Sequence, residues 1–319
     1  MPARLDNLRV VDPVLTTIAR GYSNEEFIGE KLFPVVNVDK SAGKIPLFGK
    51  ESFKVWETER ALRADSNEME GAWLTTTAFS TEEHDLVQRL DYLEIEEAML
   101  NLETRAVESV MEAIALKKEK MYADLVQTLG NYPTDNKVTL TDDFYNEDAI
   151  DWIIKIGDAC NNLSAIIGRD PNTIVIPRKV WSHLRFHPKL KSYLGVNVSG
   201  SELFNVKASV EKLAGMLEIP NVLIGSARYT TDLATFSNIW TNNIVLAYIT
   251  PPSGIDRSPF EPCYGYTLRK KGNPFSDKWF ENNGKIEKVR TTDNFDIKIV
   301  GSESAYIINN PIDPAVYAL

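Results

Sequence analysis

The sequence predicts a mixed α+β protein, and three observations support that prediction. Apolar residues recur at three- and four-residue spacing from about residue 96 to residue 129, which is the pattern of a long helix. Short β-branched runs alternate with helical patterns after residue 145. Residues 47–80 have the texture of two paired strands. The 319 residues, 43% hydrophobic and 25% charged, are enough for a globular protein with a buried core.

Composition excludes several classes of protein. No stretch approaches the roughly eighteen consecutive apolar residues that a membrane-spanning helix needs. The first residues lack the apolar segment of a secretory signal. Two cysteines cannot form a disulfide framework and suit a reducing cytosol. The formal net charge of −10 argues against a surface that grips nucleic acid over a wide area.

The negative charge is concentrated in one third of the chain. Residues 51–150 hold 23 acidic and 9 basic side chains, whereas the parts before and after hold a slight excess of basic ones. Such a region is either a solvated acidic face or a surface that awaits a basic partner.

Residues 1–50 are not expected to form a compact domain. Their short apolar clusters are separated by residues that limit helices and strands, namely Pro13, Gly21, Pro34, Gly43 and Pro46. The segment is therefore predicted to be extended, with at most a short helix near Asn24–Lys31. Because such an arm cannot bury its apolar groups by itself, it is expected to lie on a neighbouring subunit or on the body of its own chain.

Residues 47–80 are predicted to form a long two-stranded excursion. Phe53, Val55 and Trp56 precede a polar stretch centred on residues 63–71, and a β-branched tract at Thr75–Thr77 leads back. An isolated hairpin of this length is marginal in water, so we expect it to lie on something else.

The helix predicted from Glu96 to Leu129 would be a rod on the order of 50 Å long. Glutamates crowd its start and lysines lie nearer its end, in agreement with the helix dipole. Gly130 is expected to end it.

Helices and strands alternate after residue 145. One helix is expected from Asn146 to Gly168, and a second, opened by Pro177, follows a buried strand at Thr173–Ile176. A further helix is expected to begin at Ser209. Strands are predicted at Val222–Gly225, Ile239–Ile249, Tyr264–Leu268, Phe295–Val300 and Ala305–Ile308.

The sequence offers no recognisable catalytic or cofactor site. It contains no glycine-rich nucleotide loop, no nucleophile elbow and no HExxH zinc motif. His183 and His187 could share a helix face, but no Cys or carboxylate accompanies them at ligand spacing. Cys160 falls on an apolar helix stripe, and Cys263 lies in a loop without a histidine nearby in sequence. We therefore expect no catalytic residue, no metal site and no cofactor.

A basic and aromatic cluster follows residue 264. Single-stranded nucleic acid is one partner for such a pattern. We favour the acidic third of a neighbouring copy of the chain, because its charge is opposite. The cations are Arg269, Lys270, Lys271, Lys278, Lys285, Lys288 and Arg290.

Several short motifs carry a resemblance to a known family. They are Asp12–Pro13, Leu15, Gly21–Tyr22, Leu32–Val36, Ser41 and Gly43–Lys44 in the arm, Thr173–Pro177 with Trp181, Leu184 and His187–Pro188 in the body, and then Val222–Gly225, Ile239–Trp240 and Val245–Tyr248. In this order they are similar to the major capsid proteins of tailed bacteriophages with the Hong Kong 97-like fold, which encapsulins share. The resemblance covers nearly the whole chain.

This resemblance implies a Hong Kong 97-like capsid fold built from five parts. Residues 1–46 would be an N-terminal arm and residues 47–80 an extended E-loop. Residues 81–144 would be the peripheral domain with its spine helix at about 96–129, residues 145–265 the axial domain, and residues 266–319 returning peripheral strands with the end of the axial domain.

The resemblance also implies where subunits meet. The arm would pack through Leu15, Tyr22, Phe33 and Val35. The acidic E-loop residues Glu57, Glu59, Glu68 and Glu70 would lie at subunit interfaces, and so would the basic residues Arg269, Lys270, Lys271, Lys285, Lys288 and Arg290.

The function implied by the resemblance is structural, not enzymatic. The chain would assemble through hexamers and pentamers into an icosahedral shell of the virion, in the cytoplasm of a bacterial host. The shell would enclose double-stranded DNA without binding it specifically, and no membrane is implied. A portal and a decoration protein are further partners, and an arm that starts almost at Met1 implies a separate scaffolding protein or none. Two alternatives stay open: an encapsulin-type nanocompartment shell, and an α/β enzyme with a site among His183, His187 and Cys160.

Overall fold

The structure is a computed structural model that describes residues 12–21, 26–47, 55–60, 62–63, 65–68, 75–140, 151–185, 187, 206–232, 234–251, 261 and 263–313. Two five-stranded sheets organise these residues, and a long helix packs against the first of them. Among the helices of this part of the chain, none is long and apolar enough to cross a membrane.

The secondary structure is mixed throughout. The helices are α1 (Pro13–Gly21), α2 (Gly29–Leu32), α3 (Tyr92–Glu97), α4 (Leu102–Gln127), α5 (Trp152–Ile167), α6 (Arg178–Leu184) and α7 (Val206–Leu217). The strands are β1 (Val35–Val38), β2 (Ala42–Pro46), β3 (Thr76–Ser80), β4 (Glu82–Asp91), β5 (Lys137–Thr139), β6 (Thr173–Pro177), β7 (Asn221–Gly225), β8 (Arg228–Tyr229), β9 (Ser237–Asn238), β10 (Asn243–Ala247), β11 (Gly265–Lys270), β12 (Phe275–Glu281), β13 (Ile286–Ile299) and β14 (Ala305–Asn309).

The first sheet joins the start, the middle and the end of the chain. Its strand order is β1-β11-β13-β12, and β4 pairs with the remaining edge of β13. β13 is antiparallel to β4, β11 and β12, and β1 adds to β11 in parallel. α1 and α4 pack against this sheet and bury a cluster formed by Leu15, Ala19, Leu90, Ala106, Val107, Met111 and Val289.

The second sheet forms the α/β body, with strand order β5-β14-β10-β6-β7. Every residue of β6 and β10 is buried, as the apolar runs in the sequence predict. Helices α5 and α6 cover the sheet with the fully buried Trp152 and Trp181. Gly168 ends α5 in the left-handed conformation, at φ 67°, which confirms the predicted end of that helix.

Several boundaries predicted after residue 145 were wrong. The helix expected from Ser209 begins at Val206, and the strand expected at Ile239–Ile249 spans only Asn243–Ala247. Two further boundaries have a clear physical reason. Helix α5 begins at Trp152 rather than near Asn146, because the Asp151 side chain accepts hydrogen bonds from the N–H groups of Ile153 and Ile154 and caps the helix there. Strand β13 begins nine residues before the predicted Phe295, because its charged side chains find partners on β4 and β12.

Helix α1 contradicts the predicted extended arm. Pro13 occupies the first helical position, where a missing N–H removes no hydrogen bond and the fixed φ favours the helix. The Asp12 side chain caps this end by accepting from the N–H groups of Val14 at 2.9 Å and Leu15 at 3.1 Å. The prediction failed because it treated Pro13 only as a helix breaker.

The helix predicted from Glu96 to Leu129 corresponds to α4, which begins later and ends at Gln127 rather than at Gly130; Glu96 and Glu97 belong to the separate helix α3. α3 ends at Glu97 and α4 begins at Leu102, where the side chain of Asn101 accepts from the N–H of Thr104 at 3.1 Å. Asparagine is a strong N-cap residue, so it starts a new helix instead of continuing the old one. The 26 residues of α4 make a rod of about 39 Å, shorter than expected.

Candidate functional site

Residues 47–80, the predicted E-loop, are anchored to the first sheet at their base. Strands β2 and β3 pair antiparallel over five residues each. The N–H of Thr81 donates to the carbonyl oxygen of Ser41 at 2.7 Å, and the N–H of Ser80 donates to the carboxylate of Asp296, on β13, at 2.9 Å. The base therefore has a fixed position on the body of the chain.

Beyond this base, the described part of the E-loop exposes large apolar side chains. Val55 is 94% exposed and Leu62 is 93% exposed. The side-chain amide of Asn67 donates to the carbonyl oxygens of Glu57 at 2.8 Å and Glu59 at 3.1 Å, so two parts of the loop are held together. Such exposed apolar groups on a projection are typical of a surface that binds another protein.

The predicted acidic residues lie on the same projection. Glu57, Glu59 and Glu68 are exposed to solvent. Glu70 lies outside the described residues. The E-loop thus presents carboxylates beside exposed apolar side chains.

Half of the predicted basic interface is paired within the chain itself. Arg269 donates to Asp293 at 3.0 Å, Lys288 to Glu281 at 2.6 Å, and Arg290 to Asp277. These three cations are also largely buried, with side-chain exposures of 18%, 14% and 21%. Their charges therefore stabilise the first sheet.

The remaining members of the basic cluster face solvent to different degrees. Lys271 has a side chain 78% exposed, with Asp39 4.0 Å away, and Lys285 is exposed in the turn between β12 and β13. Lys270 is half-buried at the end of β11. Lys278, the seventh cation of the cluster, donates to Glu103 at 2.8 Å, so Lys270, Lys271 and Lys285 are the cations best placed to reach another molecule.

The predicted arm residues are core residues of their own chain. Leu15 is buried against α4, and Phe33 is fully buried and stacks on Tyr122 with ring centroids 5.4 Å apart. Val35 is half-buried in β1, and Tyr22 lies outside the described residues. The described arm thus packs on the chain's own body, one of the two possibilities that the sequence left open.

Sequence reasoning missed a cluster of charged side chains between the arm, α4 and the first sheet. We call this cluster, formed by Glu30, Lys118, Glu119 and Arg269, the joint. Lys118, whose side chain is 4% exposed, donates to Glu30 of α2, and Arg269 lies 3.5 Å from the same carboxylate. Burial alone would raise the pKa of Glu30, but the charges of Lys118 and Arg269 outweigh it and lower that pKa. The ammonium of Lys118 also lies 5.0 Å from the ring centroid of Phe295.

Glu119 extends the joint to the loop before β10, the strand of the second sheet that follows Trp240. Its carboxylate, 1% exposed as a residue, accepts from the N–H groups of Ile28 at 3.1 Å and Gly29 at 2.8 Å, and from the indole N–H of Trp240 at 2.8 Å. Burial raises the pKa of Glu119, and the three donors oppose that rise. A Cβ on Gly29 would lie 2.0 Å from the ring of Tyr122, so the arm approaches α4 as closely as a glycine allows.

The residues of the enzyme alternative do not form a reactive site. Burial, with help from Asp170, raises the pKa of the Cys160 thiol to about 11, which keeps it protonated at neutral pH. Cys263 is fully buried. His183 is half-buried near the end of α6, and His187 is buried after it. Within the described ranges, no three His, Cys, Asp or Glu side chains are grouped so that they could hold a metal ion.

Comparison with known proteins identifies the family of this chain. A family described as phage major capsid protein E matches residues 23–294. The chain belongs to this phage major capsid protein family. It is 44% identical over 308 residues to the major capsid protein of Burkholderia phage BcepMu. The match covers 96% of this chain and 98% of that protein. Members of the family are structural proteins of the phage virion, so this chain is a phage major capsid protein and not an enzyme.

Solved structures agree on the fold. A phage-related protein from Bordetella bronchiseptica RB50 is 28% identical and superposes with a TM-score of 0.77, over 95% of this chain and 98% of that one. The capsid structure of cyanophage P-SCSP1u is 8% identical, with a TM-score of 0.57 over 91% of this chain and 89% of that one. The fold is thus the Hong Kong 97-like capsid fold that the sequence predicts. The capsid family decides against both the encapsulin and the enzyme alternatives.

Proposed function

We propose that this capsid protein assembles through hexamers and pentamers into an icosahedral shell that encloses double-stranded DNA, and that the E-loop of each subunit lies on a neighbour. One observation carries the proposal: the E-loop is anchored to the first sheet at its base and exposes Val55 and Leu62 almost completely beyond it. Because a shell is built from copies of this chain, a second copy is the expected partner of these side chains. A heterologous contact of this kind closes a ring when the rotation that relates the subunits closes.

The acidic side of the contact would consist of Glu57, Glu59, Glu68 and Glu70. On the receiving subunit, the exposed lysines Lys271 and Lys285, with Lys270, are better suited than Arg269, Lys288 and Arg290, which are already paired in their own sheet. A surface ion pair contributes roughly 0–1 kcal/mol, so these charges would orient the contact while apolar burial supplies most of its stability.

The other partners follow from a closed DNA-filled shell. We propose a separate scaffolding protein during assembly, a portal at one vertex, a decoration protein on the outside, and assembly in the cytoplasm of the bacterial host before the shell becomes part of the virion. A net charge of −10 supports enclosure of DNA without specific binding, because like charges repel.

Charge reversal in the E-loop tests the proposal. The variant Glu57→Lys, Glu59→Lys, Glu68→Lys, Glu70→Lys should keep the circular dichroism of the parent chain but fail to form shells, rings or tubes in negative-stain microscopy and light scattering. The matched control reverses four exposed acids of other elements, Asp135, Asp158, Glu211 and Glu218. Assembly of the E-loop variant at the parental rate, or equal loss of assembly in the control, would contradict the proposed contact.

A further inference from the structure

The first sheet ends in a surface that combines acid with exposed apolar side chains; we name it the tip and define it as residues 91–100 with Phe280. Phe280 is 63% exposed, and Leu93, Met99 and Leu100 are 50%, 102% and 80% exposed. The exposed acids of the tip are Asp91, Glu94, Glu96 and Glu97, and residues 91–100 contain no basic residue. The exposed Lys285 adjoins the tip, since its carbonyl oxygen accepts from the N–H of Tyr92, so four acids face one neighbouring cation. An apolar surface with such an excess of negative charge is typical of a docking site for a positively charged segment.

Phe280 lies on the face of the sheet that carries the arm. Side chains alternate along β12, so Ser276, Lys278 and Phe280 share one face. Lys278 donates to Glu103 of α4 at 2.8 Å, and its partner on β13, Val289, is buried against α1 and α4. These helices therefore cover the face at Lys278, while Phe280 at the tip is 63% exposed.

The arm leads toward this uncovered position. Arg20, near the end of α1, donates to the carbonyl oxygen of Pro274, whereas Asp12 at its start donates its N–H to the carbonyl oxygen of Ser276. Followed toward the N-terminus, the chain thus moves along β12 in the direction of Phe280. From Ser276 to Phe280 the strand rises about 13 Å, and the eleven residues before Asp12 can span up to about 36 Å.

We propose that residues 1–11 dock on the tip of their own subunit. Their composition matches the tip, because Arg4 and Arg9 outnumber the single acid Asp6 and the apolar residues Leu5, Leu8, Val10 and Val11 lie among them. Tethering through α1 gives the segment an effective concentration in the millimolar range, so a weak contact is enough to keep it bound. The proposal goes beyond the shell contacts and does not depend on them.

A disulfide-trapping experiment on the full chain tests this placement. The variant Leu8→Cys, Leu93→Cys is oxidised mildly as dilute, unassembled subunits and analysed by non-reducing electrophoresis and peptide mass spectrometry. We expect a disulfide within one chain between positions 8 and 93. The matched control, Leu8→Cys, Phe236→Cys, places the second thiol on another exposed apolar residue of the chain, 74% exposed, and should not close.

Two results would overturn the proposal. One is a failure of positions 8 and 93 to close faster than positions 8 and 236. The other is a disulfide between positions 8 and 93 that joins two different chains and gives covalent dimers, since the occupant of the tip would then be a second copy. Both readouts stay informative without deleting any part of the arm that is buried in the core.

A charge exchange tests why the segment binds. Adding Arg4→Glu, Arg9→Glu to the trapping variant should slow intrachain closure about threefold to tenfold, as expected for two exposed ion pairs turned into repulsions. Adding Glu94→Arg, Glu97→Arg as well should restore the parental rate. Unchanged closure in the first variant, or no recovery in the second, would contradict the charge complementarity.

Discussion

Removal of the Glu119 carboxylate should destabilise the subunit more than any other single truncation of a charged side chain on α4. Glu119→Ala would leave three buried donors without their acceptor: the N–H groups of Ile28 and Gly29 and the indole N–H of Trp240. The Glu119 side chain links the arm, helix α4 and the loop before β10, so one substitution weakens all three contacts.

The magnitude follows from those three bonds. A buried donor left unsatisfied costs about 1–3 kcal/mol. Three such penalties are not fully additive in one site, and single substitutions rarely exceed about 5 kcal/mol, so we expect Glu119→Ala to lower the free energy of unfolding by about 3–5 kcal/mol. Glu119→Gln keeps the oxygen that serves Ile28 and Trp240 but turns an NH₂ group toward the N–H of Gly29, so about 1–2 kcal/mol should be lost.

Urea unfolding of unassembled subunits, followed by circular dichroism, measures these differences. Glu112→Ala is the matched control, because Glu112 lies on the same helix and is exposed; its effect should stay within about 0.5 kcal/mol. A loss below about 1 kcal/mol for Glu119→Ala, or equal losses for both alanine variants, would refute the reasoning that the carboxylate joins the three elements.

Three further predictions concern the joint and the thiols. Gly29→Ala should lower the free energy of unfolding in urea by about 1–3 kcal/mol, because its Cβ would overlap the ring of Tyr122. Gly157→Ala, with no atom within 4 Å of its Cβ, should raise that free energy by about 0.5–1 kcal/mol. Similar effects of both substitutions would contradict the packing argument. Because the pKa of Glu30 is lowered in the folded state, its stabilising effect is present above pH 4.5, the ordinary value, and is lost as the pH falls further; the stability difference between the parent and Glu30→Gln should therefore shrink on acidification, and a growing difference would reverse the sign. Cys160 should react with iodoacetamide at pH 8 much more slowly than a free cysteine, since its pKa is raised to about 11; rapid modification by mass spectrometry in the folded subunit would contradict its burial.

The sequence predicts best those elements whose pattern is set by local packing. The fully buried strand β6 and the helix opened by Pro177 can be predicted because an apolar run and a helix-start residue act over a few positions. Only the return strand of the predicted excursion is confirmed: β3 contains the β-branched tract at Thr76–Thr77, but it pairs with β2, which ends at Pro46. The first strand expected around Val55 and Trp56 was wrong, because these two residues are not in a strand. The same local reasoning fails at Pro13, where proline has opposite effects at the first helical position and inside a helix.

The joint shows why buried charge is hard to predict. Lys118 and Glu119 fall between Ile114 and Tyr122, at the spacing of the buried stripe of α4, and a charged pair at core positions is the sequence feature that could have identified them. Their partners lie about ninety residues earlier or more than a hundred residues later in the chain. No local sequence pattern can therefore predict that Glu30 and Trp240 are those partners. Burial without those partners would be costly, which is why composition alone places such residues on the surface.

The same distinction explains the charge distribution of the whole chain. The basic cluster looks like an interface in the sequence because the sequence does not show that its cations pair with Asp277, Glu281 and Asp293. Pairing within the first sheet cancels much of that positive charge. Residues 91–100 of the tip hold four acids and no cation, and the E-loop residues 47–80 hold six acids and four cations, so the tip contributes more of the net −10 than the E-loop. In the proposed shell, copies with this surface would repel one another at long range, and the attraction would come from short-range burial of residues such as Val55 and Leu62. That balance favours contacts that form only in the correct orientation, which a closed shell requires.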